Sequence, residues 1–197
     1  MNYLAHLYLS GDDPQWMIGG LLGDFVKGPL SGEYPKPVEA GIQLHRRIDV
    51  FTDSQPEIQQ AIARFEPPFR RFGGILTDLC YDHFLAAHWT KFHSRPLADF
   101  CQDFYCALAA FPDTLPTRAQ RFCEMAPQVN WLENYAEFEQ LETMLERIGQ
   151  RFRTPVPLHD AFPQLISHYD LMQEEFLLVF PRLVEFSEGQ RLESPDT

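Results

Sequence analysis

Apolar residues recur along this chain at steps of three and four, the spacing of one helical face. The longest such run is near the end, where Leu158, Phe162, Leu165, Tyr169, Met172, Phe176, Val179, Leu183 and Phe186 fall into register. No stretch alternates β-branched and polar residues, and no Asn-Gly or Asp-Gly hairpin dipeptide occurs, so the pattern predicts an all-α chain. Prolines and glycines divide it into segments. A short helix is expected around Tyr3 to Leu9, and a second, opened by Pro14, over Met17 to Val26 before Gly28-Pro29. Pro37 opens a third to about Thr52, and Pro56 a fourth that ends before Pro67-Pro68. Further helices are expected over Gly74 to His93, Pro96 to Phe111, Thr117 to Met125 (set off by Pro112 and Pro116) and Asn130 to Arg151. The last runs from Pro157 or His159 to Phe186, with a frayed tail after about Glu188. The expectation is one domain over residues 1–197, a bundle of about eight helices.

Charge narrows the partners. A net charge of −12 disfavours nucleic acid, whose phosphates reward basic surfaces. No run of about 18 apolar residues suits a membrane span and the first ten residues carry no basic leader, so a cytoplasmic protein is expected. The four cysteines lack C-x-x-C spacing and read as reduced thiols, three of them in apolar helical contexts. Against this acidic background, Arg46, Arg47, Arg64, Arg70, Arg71, Lys91 and Arg95 gather near the unusual ionisable groups of the first half, which leaves room for a local anion site.

Ionisable side chains stand where helical spacing asks for apolar ones. Val38, Ile42, His45, Asp49 and Thr52 share one stripe. Ile75, Asp78, Asp82, Leu85 and Trp89 share another, with His83 beside it. His6 is flanked by Leu4, Ala5, Leu7 and Leu9, and Asp24 follows the small-residue run Gly19-Gly20-Leu21-Leu22-Gly23. Taking a carboxylate out of water without a partner costs several kcal/mol or forces it to take up a proton. Four such placements in one half of a chain point to groups that meet, and a divalent cation is the simplest shared partner. Oxygen ligands suit Mn²⁺ or Mg²⁺, and imidazoles extend the choice to Fe²⁺ or Zn²⁺. Plainer readings stay open: a buried His45–Asp49 hydrogen bond, Asp78 or Asp82 capping a neighbouring helix or pairing with Arg46 or Arg47, and His6 as a core histidine. No G-x-S-x-G elbow, Walker loop or GxGxxG fingerprint is present.

Four ordered segments carry a family resemblance: Asn2-Tyr3-Leu4-Ala5-His6-Leu7, Gly23-Asp24-Phe25-Val26-Lys27-Gly28, His45-Arg46-Arg47-Ile48-Asp49 with Thr52-Asp53, and Asp78-Leu79-Cys80-Tyr81-Asp82-His83-Phe84-Leu85. Together they resemble the acyl-carrier-protein phosphodiesterases, and His168-Tyr169 with Phe180-Pro181 extends the likeness over nearly the full length. That family is similar to the all-helical HD-type phosphohydrolases, although the adjacent pair here reads Asp82-His83, the reverse of the HD order. The resemblance implies a Mn²⁺ enzyme, with Mg²⁺ or Fe²⁺ as alternatives, that removes 4'-phosphopantetheine from the serine of holo-acyl carrier protein. It places the family's acidic motif residue on Asp24. On this basis His6, Asp24, Asp78 and Asp82 are expected as metal ligands or direct activators, and His45 and Asp49 as ligand plus orienter. Arg46 and Arg47 are expected on the phosphoryl oxygens, with His83 as general acid or as a support behind the ligands. Because acyl carrier proteins are acidic, the resemblance also makes the basic stretch from Arg64 to Arg95 a candidate docking surface, the plainer reading being a solvated basic face. Two other functions are compatible with the same residues: an HD-type nucleotide or (p)ppGpp phosphohydrolase, and a helical binding module whose buried acids are only hydrogen-bonded.

Overall fold

The structure is a computed structural model that describes residues 2–111 and 115–193. Among these residues there are ten α-helices and no strand: α1 (Tyr3–Leu9), α2 (Pro14–Leu22), α3 (Lys36–Asp53), α4 (Pro56–Arg64), α5 (Gly73–Ala87), α6 (Trp89–Phe92), α7 (Leu97–Ala110), α8 (Thr117–Met125), α9 (Gln140–Gly149) and α10 (Phe162–Leu192). The all-α expectation holds, with ten helices rather than eight. Pro112, expected to break the chain, and the end of the tail from Ser194 lie outside the described residues.

Two breaks that periodicity alone does not show reshape the expected helices. The helix expected to reach His93 stops at Ala87, because the His88 ring is bonded to Gln173 of α10 at 3.0 Å and the Trp89 indole donates to the Arg95 carbonyl at 2.8 Å. The helix expected over residues 130–151 starts only at Gln140. Asn130 takes a left-handed backbone conformation (φ 47°), and the segment after it is tied to its neighbours: Leu132 N–H donates to the Tyr105 hydroxyl and the Tyr135 carbonyl accepts from His83. The final helix goes the other way, running on to Leu192 past the point where fraying was expected.

Helix α5 occupies the middle of the core. Eleven of its fifteen residues are buried, on every face, as expected of a helix surrounded by others. α2 and α3 pack backbone to backbone. A Cβ on Gly19 would lie 2.2 Å from the Val38 carbonyl oxygen, and one on Gly41 2.4 Å from that of Trp16, so only glycine permits this approach. α1 lies across α2 and α5. The four cysteines are free thiols, with Cys80 and Cys101 buried, Cys123 half-buried and Cys106 exposed.

Candidate metal centre

Two helices and one turn deliver four of the predicted residues to one place. His6 comes from the middle of α1, His45 and Asp49 from one face of α3, and Asp24 from the turn just after α2. The Nε2 atoms of His6 and His45 lie 3.1 and 3.2 Å from the two carboxylate oxygens of Asp49. Asp24 stands 3.9 Å from His45 Nε2. The two imidazoles stack with ring centroids 3.7 Å apart, and one atom each of His6, His45 and Asp49 falls within 4.8 Å of the others.

Hydrogen bonds around the cluster fix which ring nitrogens face Asp49. The Gly20 carbonyl lies 2.8 Å from His45 Nδ1. A carbonyl only accepts, so Nδ1 carries the hydrogen and the neutral ring turns the Nε2 lone pair towards Asp49. A lone pair facing a carboxylate oxygen at 3.2 Å is repulsive unless a proton or a cation lies between them. His6 poses the same problem more sharply. It is buried, its approach to Asp49 is not aligned for donation, and neither ring nitrogen has a hydrogen-bond partner. Burial, reinforced by the neighbouring His45, pulls its pKa down to about 3, so His6 stays neutral. Two imidazoles and a carboxylate converging on one point are the kind of donor set that fits a divalent cation. Burial pushes the Asp24 carboxyl up, and the Asp49 charge adds to this against the pull of His45.

The remaining predicted residues go elsewhere. Both oxygens of the fully buried Asp82 accept backbone N–H groups, from Leu4 at 2.8 Å and Ala5 at 3.1 Å. It caps the first turn of α1 and so fixes the helix that carries His6. His83 donates from Nδ1 to the Tyr135 carbonyl at 2.8 Å and accepts at Nε2 from the Tyr169 hydroxyl at 2.9 Å, which leaves it no nitrogen to offer. Arg46 donates to the Val26 carbonyl and Arg47 to Gln190 of α10, neither bond directing the guanidinium to the cluster. Asp78 instead lines a small cavity together with Asp24 and Tyr3. The cations expected to form a docking surface are largely engaged: Arg64 with Glu175, Arg70 with the Phe65 carbonyl, Arg71 over the Phe72 ring and Arg95 with Asp103.

Residues that the sequence reading passed over surround the open side. Beside Asp24 and Asp78 the small cavity is lined by Arg118 of α8 and by Arg151. A larger cleft of about 650 Å³ shares Tyr3, Phe25, Arg118, Trp131 and Arg151 with it, and adds Arg121 and Arg147.

The family model for acyl carrier protein phosphodiesterase matches residues 1–183. The chain belongs to that family. Among its relatives, the acyl carrier protein phosphodiesterase of Enterobacter sp. (strain 638) is 34% identical over 193 residues, covering 98% of this chain and 100% of the relative. That of Yersinia pestis is 33% identical with the same coverage, and that of Salmonella agona (strain SL483) is 35% identical over 93% of this chain and 96% of its own length. No solved structure matches the chain. Among the described residues no helix is long and apolar enough to cross a membrane.

Proposed function

We propose that this chain is a metal-dependent hydrolase that removes 4'-phosphopantetheine from the serine of holo-acyl carrier protein in the cytoplasm, releasing the apo carrier. Family membership makes it an acyl carrier protein phosphodiesterase, a hydrolase of phosphodiester bonds. What supports the metal is the pair of imidazole Nε2 atoms turned towards the Asp49 carboxylate with no hydrogen shared between His6 and its neighbours.

His6, His45 and Asp49 would hold the cation; their mixed nitrogen and oxygen donors accept Mn²⁺, the ion implied by the family resemblance, as well as Fe²⁺ or Zn²⁺. When bound, a divalent ion supplies a low-pKa water and positive charge for the phosphoryl oxygens. The protein does the rest. The Gly20 carbonyl keeps His45 in the tautomer that presents Nε2. Asp82, by capping α1, keeps His6 seated. Asp24, with its raised carboxyl pKa and its place at the mouth, is the group positioned to take a proton from the attacking water. Attack on phosphorus breaks the bond to the seryl oxygen, which leaves with a proton, and the other product is the phosphomonoester of pantetheine.

The test is mass spectrometry of holo-acyl carrier protein incubated with the Mn²⁺-supplemented enzyme. Loss of the phosphopantetheine mass is the expected result, abolished in Asp49→Asn. An unchanged carrier mass with active-site residues intact would overturn the assignment.

A further inference from the structure

The mechanism leaves one feature unused: four arginines around a single cleft in a chain of net charge −12. Arg118, Arg121, Arg147 and Arg151 are all exposed, and among the described residues none lies within ion-pair distance of a carboxylate. By contrast, Arg64, Arg95 and Arg182 each have an acidic partner. Unpaired positive charge kept at one site of an acidic protein marks the binding place of an anion. The cleft floor is of another kind, formed by the rings of Tyr3, Phe25, Phe122 and Trp131, and Arg147 lies over the Trp131 ring at 5.5 Å. At about 650 Å³ it is within the range that takes a ligand of a few hundred daltons. Of the four arginines, only Arg118 and Arg151 line both this cleft and the small cavity that holds Asp24.

We infer that the cleft seats the phosphopantetheine arm itself, with Arg118 and Arg151 gripping the phosphodiester at the end nearest Asp24 and the aromatic floor covering the amide-linked chain. The inference rests on the proposed function and adds the substrate subsite to it. The order of features fits the order of groups in such a substrate. Its one anionic group must lie beside the reacting centre, where the two shared arginines are, and guanidinium forks match phosphoryl oxygens in pairs. Beyond it the arm is a neutral chain of methyl and amide groups, suited to ring faces, with Arg121 and Arg147 placed to donate to amide carbonyls. Arg151 also neighbours Tyr3, whose hydroxyl burial pushes to higher pKa, with the Asp24 charge adding to this, so Tyr3 remains a neutral donor at the same end.

Calorimetric binding of 4'-phosphopantetheine and of pantetheine, which lacks the phosphate, to the Mn²⁺-supplemented protein tests this. Because both side chains are exposed, Arg118→Ala/Arg151→Ala is expected to melt like the wild type. It should bind 4'-phosphopantetheine at least about tenfold more weakly while pantetheine changes less than about twofold. Unchanged phosphopantetheine binding in that variant overturns the inference. So does an equal weakening for apo- and holo-carrier, which would mean that the arginines dock the carrier body. The carrier-mass assay separates the two claims. Hydrolysis with unaffected variants sinks the subsite alone, whereas phosphate-dependent binding through these arginines without hydrolysis supports the subsite and sinks the proposed reaction.

Discussion

Replacing Asp82 by alanine tests whether this buried acid belongs to the scaffold or to the chemistry. Its two oxygens satisfy the N–H groups of Leu4 and Ala5 in a site closed to water. Orphaning two buried donors, at about 1–3 kcal/mol each, gives a loss of roughly 2–6 kcal/mol. For a chain of this size that lowers the melting temperature by roughly 4–24 °C. The loss should depend on pH. Burial, only partly offset by the two backbone hydrogen bonds, raises the Asp82 carboxyl to about 7, against roughly 3.9 in an unfolded chain. The folded protein therefore binds this proton more tightly than the unfolded one. The contribution is complete below about pH 4 and is lost as the pH climbs to about 7, by up to roughly 4 kcal/mol. Thermal melts of wild type and variant from pH 5 to 8 should show the difference largest at the acidic end and shrinking towards pH 8, while Asp82→Asn lacks this slope and still binds Mn²⁺. A folded Asp82→Asn with lost Mn²⁺ affinity would refute the reasoning, because the carboxylate would then be a ligand.

Other outcomes follow from the same geometry. In Gly23→Ala the new Cβ would sit 2.2 Å from His45 Cγ; the ring must move off Asp49, at about 1–3 kcal/mol of stability, and Mn²⁺ titration should show at least about tenfold weaker binding. His83→Phe removes the partners of the Tyr135 carbonyl and the Tyr169 hydroxyl and should destabilise by about 1–3 kcal/mol. Its kcat below the melting transition should stay near wild type, whereas a collapse of kcat in the folded variant would restore His83 as general acid. Mn²⁺ at about 100 times its Kd should stabilise the chelator-treated wild type by about 2.7 kcal/mol and leave Asp49→Ala unmoved, read as melting temperatures.

The legible part of the site was the part on an amphipathic helix. On α3 the stripe Val38, Ile42, His45, Asp49 and Thr52 has a real inner face, with every member but Asp49 buried, so an acid and an imidazole in that register had to meet something. α5 differs in kind. Buried all round, it has no single face, and Asp82 and His83 satisfy separate backbone and hydroxyl groups on different sides. The plainer reading weighed for Asp82, a cap on a neighbouring helix, is what its hydrogen bonds describe. The small-residue run before Asp24 did signal close approach, since Gly19 meets Gly41 and Gly23 meets the His45 ring. Arg118 and Arg151 carried no signal, because an exposed arginine near an amphipathic helix is ordinary until the fold puts it beside Asp24. The breaks at His88 and Asn130 were hidden likewise, being set by bonds to residues distant in sequence.

Metal content measured on purified protein after Mn²⁺ loading and desalting bears most directly on the account. Wild type and Asp82→Asn should retain Mn²⁺ in fixed proportion to protein, while His6→Gln, His45→Gln and Asp49→Asn, each still folded, should lose it. Retention of the ion by all three of those variants would show that His6, His45 and Asp49 do not hold it.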